Sequence, residues 1–433
     1  MRFSKTILLA AFALDAALTG CNPSDFNSIL DKAPVLDLGI PGSSTGALFV
    51  LPLPAPDQTT KVAARMLVSR KDSNYLALAD YDMNGKATLH EASAVETSLG
   101  YPVYSAAVRS TDGLVILGTP KYAGGTTPAG RVSTLTIGSK PDGSPTFAVQ
   151  NGISGQRMGI SVATGNITGP LTGDFVAVSD NSVQLLGTDP AVPIASPPAF
   201  CPALQLGSQT DFYAFRPVVV ADLLAGAFDE IVLGGQGQVL FVQYDGTAVL
   251  PCPTKVLTLA SVSSFGTSLA AGDFDGDGHM DLAVGAPPNH VYVYFGPLDT
   301  ATTYDVDIAG ASVTQFGKQI ATYHLPGQAS AQLLVADPAA ASRGAVGEVM
   351  LFNITRGTRT ILTGDAVVTL FDSNKDSDPG LFGLNLGGVE FNAGLCGPTG
   401  TKQLVPWASL GPNILTFFAY GGAPLPDPRC FAH

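Results

Sequence analysis

The chain has 433 residues, 45% of them hydrophobic and only 13% charged, with 49 glycines and 32 prolines. Its formal net charge of −13, from 22 basic and 35 acidic residues, leaves no basic surface for phosphates and speaks against nucleic acid as a partner. Apolar content and 8% aromatics speak against disorder, and the density of glycine and proline suits short strands joined by tight turns.

Arg2 and Lys5 precede an apolar run from Ile7 that closes on Leu18-Thr19-Gly20-Cys21. This is the layout of an export signal over residues 1–20, with Asp15 as a costly charge inside it. The run is short for a transmembrane helix. The Leu-x-Gly-Cys ending resembles the bacterial lipobox, which implies cleavage before Cys21 and lipidation of its thiol. The competing reading is an ordinary signal peptide or an uncleaved anchor, with Cys21 as a structural thiol. Loss of Arg2, Lys5 and Asp15 with the signal takes the net charge from −13 to −14. Asn22 follows the cysteine where inner-membrane sorting would favour Asp, so the resemblance implies an outer-membrane lipoprotein, periplasmic or surface-facing. Residues 21–35 form a lipidated tether ahead of a domain spanning 36–433.

Along that domain one frame recurs: an apolar or aromatic residue before glycine, a strand, a polar loop, a second strand ending in small residues, and a third. The first unit shows only its second half, "LGIPGSSTGALFVL" (38–51). Asp80 to Glu91 follows with the spacing of an EF-hand loop, yet "NYLALADYD" and "KATLHEA" alternate as strands about a Met-Asn-Gly turn, and a hairpin would carry Glu91 away. Further heads stand at Leu99, Met158, Phe215, Phe265, Phe316 and Phe382, with tails at 117–137, 176–187, 231–244, 282–296, 333–354 and 404–418. Between heads and tails, Asn166 to Asp174 and Asp222 to Glu230 place Pro170 or Leu224 where donors would be and read as plain turns. Asp372 to Pro379 is interrupted by Lys375 and reads as an acidic surface turn. Seven tails predict seven sheets, which stack radially to bury both faces.

Cys201, Cys252, Cys396 and Cys430 allow two disulfides in an exported chain. Three connectivities are open. The similar placement of Cys201 and Cys252 in neighbouring repeats favours Cys201–Cys252 with Cys396–Cys430, against buried free thiols.

Phe265-Gly266 with Gly285-Ala286-Pro287, and the heads Phe316-Gly317 and Phe382-Gly383, resemble the FG-GAP repeat of the integrin α-subunit β-propeller, which bacterial surface proteins also carry. Leu99-Gly100 and Met158-Gly159 are softened heads, and Phe215-Arg216 lacks the glycine. The expected fold is therefore all-β, a seven-bladed β-propeller of FG-GAP repeats. An N-terminal strand that closes a C-terminal blade would account for the truncated first unit.

Asp273, Asp275, Asp277 and Asp281 occupy positions 1, 3, 5 and 9 of one loop, with Gly278 at its bend and the backbone carbonyl of His279 at position 7. Four carboxylates this close repel one another without a cation, and hard oxygen donors at this density suit Ca2+. The resemblance implies the same, because the matching loop of FG-GAP propellers binds calcium. The competing reading is a solvated acidic turn. A weaker second site is Asp80, Asp82, Asn84 and Thr88, where Thr88 replaces the ninth-position aspartate.

None of His90, His279, His290, His324 and His433 falls in an HExxH pair, and no Gly-x-Ser-x-Gly elbow occurs. No catalytic constellation is visible. Trp407 reads as packing between blades, and Tyr101, Tyr104, Tyr122 and Tyr213 as loop contacts or blade filler. The expectation is a monomeric, calcium-binding cell-envelope lipoprotein that acts as an integrin-like adhesion module for a protein or glycan, touching the membrane only through its anchor. A propeller enzyme acting on polysaccharide, or an envelope scaffold, is the alternative.

Overall fold

The computed structural model describes residues between 35 and 417, leaving out 38–47, 55–61, 188–216, 245–252, 372–382, 393–401, 410–413 and loop runs of six residues or fewer. Cys21, Cys201, Cys252, Cys396, Cys430, Phe215, Phe382, Tyr213 and the Asp372 turn lie outside the described residues. Among those described, no helix is long and apolar enough to cross a membrane.

The architecture is an all-β propeller. Six sheets are blades cut from consecutive chain. Blade one runs Leu48–Leu53, Val62–Arg70, Leu76–Asp82 and Ala87–Glu91, and blade two Ser105–Val108, Val115–Thr119, Arg131–Ser139 and Pro145–Ser154. Blade three has Ser161–Gly165, Asp174–Val178 and Val183–Gly187, and blade four Val218–Ala221, Glu230–Gly235, Gln238–Val242 and Lys255–Thr258. Blade five has Ser268–Gly272, Asp281–Ala286, His290–Tyr294 and Val306–Ala309, and blade six Gln319–Tyr323, Gln332–Asp337, Glu348–Asn353 and Val368–Phe371. The first strand of each blade packs on that of the next, which is what lets a two-faced apolar sheet bury itself.

Six blades is one fewer than the seven expected. The last tail instead enters a composite sheet, in which Leu386–Asn392, Lys402–Ser409 and Ile414–Phe417 take Val35–Asp37 as their outer strand, Val35 pairing with Thr416. A strand from near the start of the chain does close a C-terminal sheet, as expected. The 38–51 tail is corrected as well: its described residues, 48–51, belong to Leu48–Leu53, the first strand of blade one, and not to the last strand of an earlier unit. Leu99 is not a head. Met158, Phe265 and Phe316 each stand three residues before a first strand, whereas Leu99 ends a helix, Ser93–Leu99, that the alternating pattern hid. Arg131 caps that helix by donating to the Ser98 and Leu99 carbonyls at 3.1 and 3.0 Å.

The core is divided among the blade interfaces. Phe265 sits between blades four and five with Phe241, Leu282 and Tyr294, and Phe316 between five and six with Val291, Leu333 and Phe352. Backbone meets backbone beside each head. Gly266 has φ +86°, and its carbonyl lies against Gly234 so closely that a Cβ on Gly234 would overlap it. One blade further on, the Gly317 carbonyl lies against Gly285 and accepts from Ser268 Oγ at 2.7 Å. The glycines of both halves of the repeat are thus where neighbouring blades touch.

Gly234→Ala should cost about 1–3 kcal/mol by overpacking this contact, whereas Gly235→Ala, which meets open space, should change stability by no more than about 0.5 kcal/mol. Denaturant midpoints of the two variants measure the difference.

Candidate functional site: the acidic loop of blade five

The loop joins the first and second strands of blade five, whose register pairs Gly272 with Asp281. Phe274, fully buried between blades five and six, pins it from below. Gly276 and Gly278 adopt φ +81° and +88°, so the chain curls inward and aims its N–H groups at Asp273. Asp273 accepts from Gly276 and Asp277 at 2.7 and 3.1 Å on one oxygen and from Gly278 at 2.9 Å on the other. Asp275 accepts from the Asp277 N–H at 3.2 Å, and Asp277 from the His279 N–H at 2.9 Å.

Asp281 is fully buried and accepts from the N–H groups of Phe274 at 2.7 Å and Gly296 at 2.8 Å. Burial drives its pKa up to about 7 against the opposing pull of those two hydrogen bonds, and the nearby Asp275 charge raises it further. Carboxylate oxygens of Asp273, Asp275 and Asp281 lie within 4.8 Å of one another. Ligands at about 2.3–2.6 Å from one centre stand at most about 5 Å apart, a span these three oxygens do not exceed. Asp277 is not in that group, and His279 is exposed.

A residue with no signal in the sequence completes the picture. Arg356, from the connection between the third and fourth strands of blade six, pairs through Nε with Asp275 at 2.5 Å and through a terminal nitrogen with Asp277 at 2.6 Å. Its guanidinium also lies 4.9 Å from the Phe295 ring centroid.

Equivalent positions in other blades separate structural from site-forming carboxylates. Asp174 accepts from the Ile167 and Thr168 N–H groups and from the Thr168 and Thr172 hydroxyls. Glu230 accepts from the Leu223 and Leu224 N–H groups at 2.9 and 3.0 Å. An acid opening the second strand therefore staples the preceding loop in blades three, four and five, and the two loops read as plain turns are stapled turns. Blade five alone among these adds Asp273, Asp275 and Asp277.

The second expected site does not share this position. Asp80 to Thr88 lies in a hairpin between the third and fourth strands of blade one, Asp80 opposite Thr88, as the turn reading required. Arg65 takes both Asp80 oxygens, at 2.6 and 2.8 Å, and His90 Nε2 lies 3.3 Å away. The side chains of Asp82 and Asn84 lie outside the described residues. Of the loop tyrosines, Tyr104 is buried filler, while Tyr101 and Tyr122 meet edge to face at 5.7 Å.

Residues 265–294, which hold this loop, match the FG-GAP repeat family model. No curated protein matches the chain. Among solved structures, Saccharomyces cerevisiae Sqt1 is similar at 13% identity and TM-score 0.49, over 83% of this chain and 81% of that one. The Dos1 propeller is similar at 11% identity and TM-score 0.43, over 82% of this chain and 76% of that one.

Burial lifts the folded pKa of Asp281 above the ordinary carboxylate value of 3.8, so its stability contribution is complete below about pH 4 and is lost as pH rises through about 7. Comparing chelated wild type with Asp281→Asn, the variant's deficit in melting temperature should shrink from pH 5 to pH 8. A deficit that is constant or grows would contradict the raised pKa.

Proposed function

We propose that this chain is an exported lipoprotein whose propeller is a calcium-stabilised binding module for a protein or glycan partner. The observation that carries the reading is the convergence of Asp273, Asp275 and Asp281 in a loop already curled by its own backbone, within a matched FG-GAP repeat. Asp273, Asp275 and Asp281 would hold the ion, with Asp277 and the His279 carbonyl as the remaining donors. Bound calcium supplies charge neutralisation and rigidity there, and we assign it no catalytic role. The Asp80 cluster is left out, because Arg65 occupies both oxygens of its first carboxylate, whereas Arg356 takes one oxygen of Asp275.

Loops at the ends of a rigid ring are suited to recognition, since the blades hold them in fixed relation while their sequences vary. In this reading the composite sheet, which unites residues 35–37 with 386–417, helps the ring resist opening. Lipidation at Cys21 and a short tether would hold the module at the outer membrane.

Calcium binding is tested on the mature chain by calorimetry and thermal melting. Wild type should take up one ion and melt higher in its excess, by the usual mass-action shift. Asp275→Asn should lose both effects, and an unchanged melting temperature in wild type would overturn the calcium reading. Lipidation is tested separately: Cys21→Ser should move the protein from the membrane to the soluble fraction, and retention at the membrane would assign the anchor elsewhere.

A further inference from the structure

We propose that Arg356 is the resident counter-cation of the acidic loop and competes there with the metal ion, so that ion binding releases a clasp between blades six and five. The competition rests on the calcium reading, whereas the clasp rests on geometry alone.

The connection from Asn353 to Val368 in blade six does not simply return to its own sheet. It turns at Gly357, which has φ +94°, with Thr358 N–H donating to the Thr355 carbonyl at 3.2 Å. It then lays Thr360–Leu362 parallel against Val306–Ala309, pairing Ile361 with Ile308. Blade five thereby gains a fifth strand from its neighbour, the one parallel pairing among the described strands. Arg359 extends it by accepting from the Asp307 N–H at 3.0 Å. Arg356 stands just ahead of this strand, so the same short segment grips both the outer edge of blade five and its acidic loop.

The reach itself is shared with another pair of blades. The corresponding connection of blade five places Asp299 on blade four, where its carboxylate accepts from the Ala225 N–H at 2.8 Å. In the same contact Leu298 N–H donates to the Leu223 carbonyl at 2.7 Å and Lys255 Nζ to the Asp299 carbonyl at 3.1 Å. At blade five the contact is an arginine–carboxylate pair, and it engages the Asp275 side chain that one bound ion would also require. Two cations cannot share that carboxylate without repelling each other, so the occupancy of one weakens the other by an equal factor. The arginine is more than half exposed, with a side-chain accessibility of 55%, and released it has water to move into.

The test uses the mature chain as wild type, Arg356→Gln and Arg356→Lys, with calcium titration by calorimetry and amide hydrogen exchange over residues 355–362 in chelator and in excess calcium. Arg356→Gln should bind calcium roughly tenfold tighter than wild type, with Arg356→Lys between them because it keeps the charge without the fork. Calcium should speed exchange over 355–362 in wild type, while Arg356→Gln should exchange fast in both conditions. Equal calcium affinities, or exchange that ignores calcium in wild type, would overturn the competition while leaving the calcium reading intact. If none of the three proteins binds calcium, the calcium reading and the competition both fall, and exchange in chelator decides the clasp: protection unchanged by Arg356→Gln overturns it.

Discussion

Everything in this ring depends on two backbones being able to touch. Where Gly266 meets Gly234 and Gly317 meets Gly285, the carbonyl of one blade's head occupies the space a side chain would need on its neighbour. The buried aromatic beside each head glycine packs into the interface between the same two blades. Close backbone approach beside bulky apolar filling is what lets twisted sheets stack without voids. The repeat is therefore a description of an interface between blades, although its letters are read within one.

The same geometry explains why carboxylates recur at the start of the second strand. The inward-curling loop presents several N–H groups with no strand partner, and an acid at Asp174, Glu230 or Asp281 satisfies them. The buried charge is tolerated because the hydrogen bonds converge on it, yet in Asp281 burial outweighs them and the pKa rises. Blade five carries three further aspartates on this common staple. Their excess charge is met by a guanidinium from the adjacent blade, or, in the proposed function, by a metal ion.

Much of this was legible from local pattern. Met158, Phe265 and Phe316 were readable as buried heads because an apolar residue before glycine recurs at a steady interval, and all three are buried at 1% or less. The acidic loop was readable because its donors alternate within nine residues. Leu99 misled because Leu-Gly also ends a helix, as Gly100 does here with φ +69°. The Asp80 loop misled because a hairpin between any two strands can carry Asp-x-Asp-x-Asn-Gly, and only the sheet order says which strands they are.

By itself, then, the amino-acid order determined the strand-rich class, the repeat, the head residues and the carboxylate set of blade five, since each is a relation among residues close in the chain. Tertiary structure alone decided that six sheets are contiguous blades and which residues close the last sheet, Val35–Asp37 against Ile414–Phe417. It also decided that Arg356 reaches Asp275 and that Thr360–Leu362 joins blade five. These contacts arise from how one twisted sheet stacks on the next. Alternation along a strand records which face is buried, but carries nothing about which neighbouring loop will lie against it.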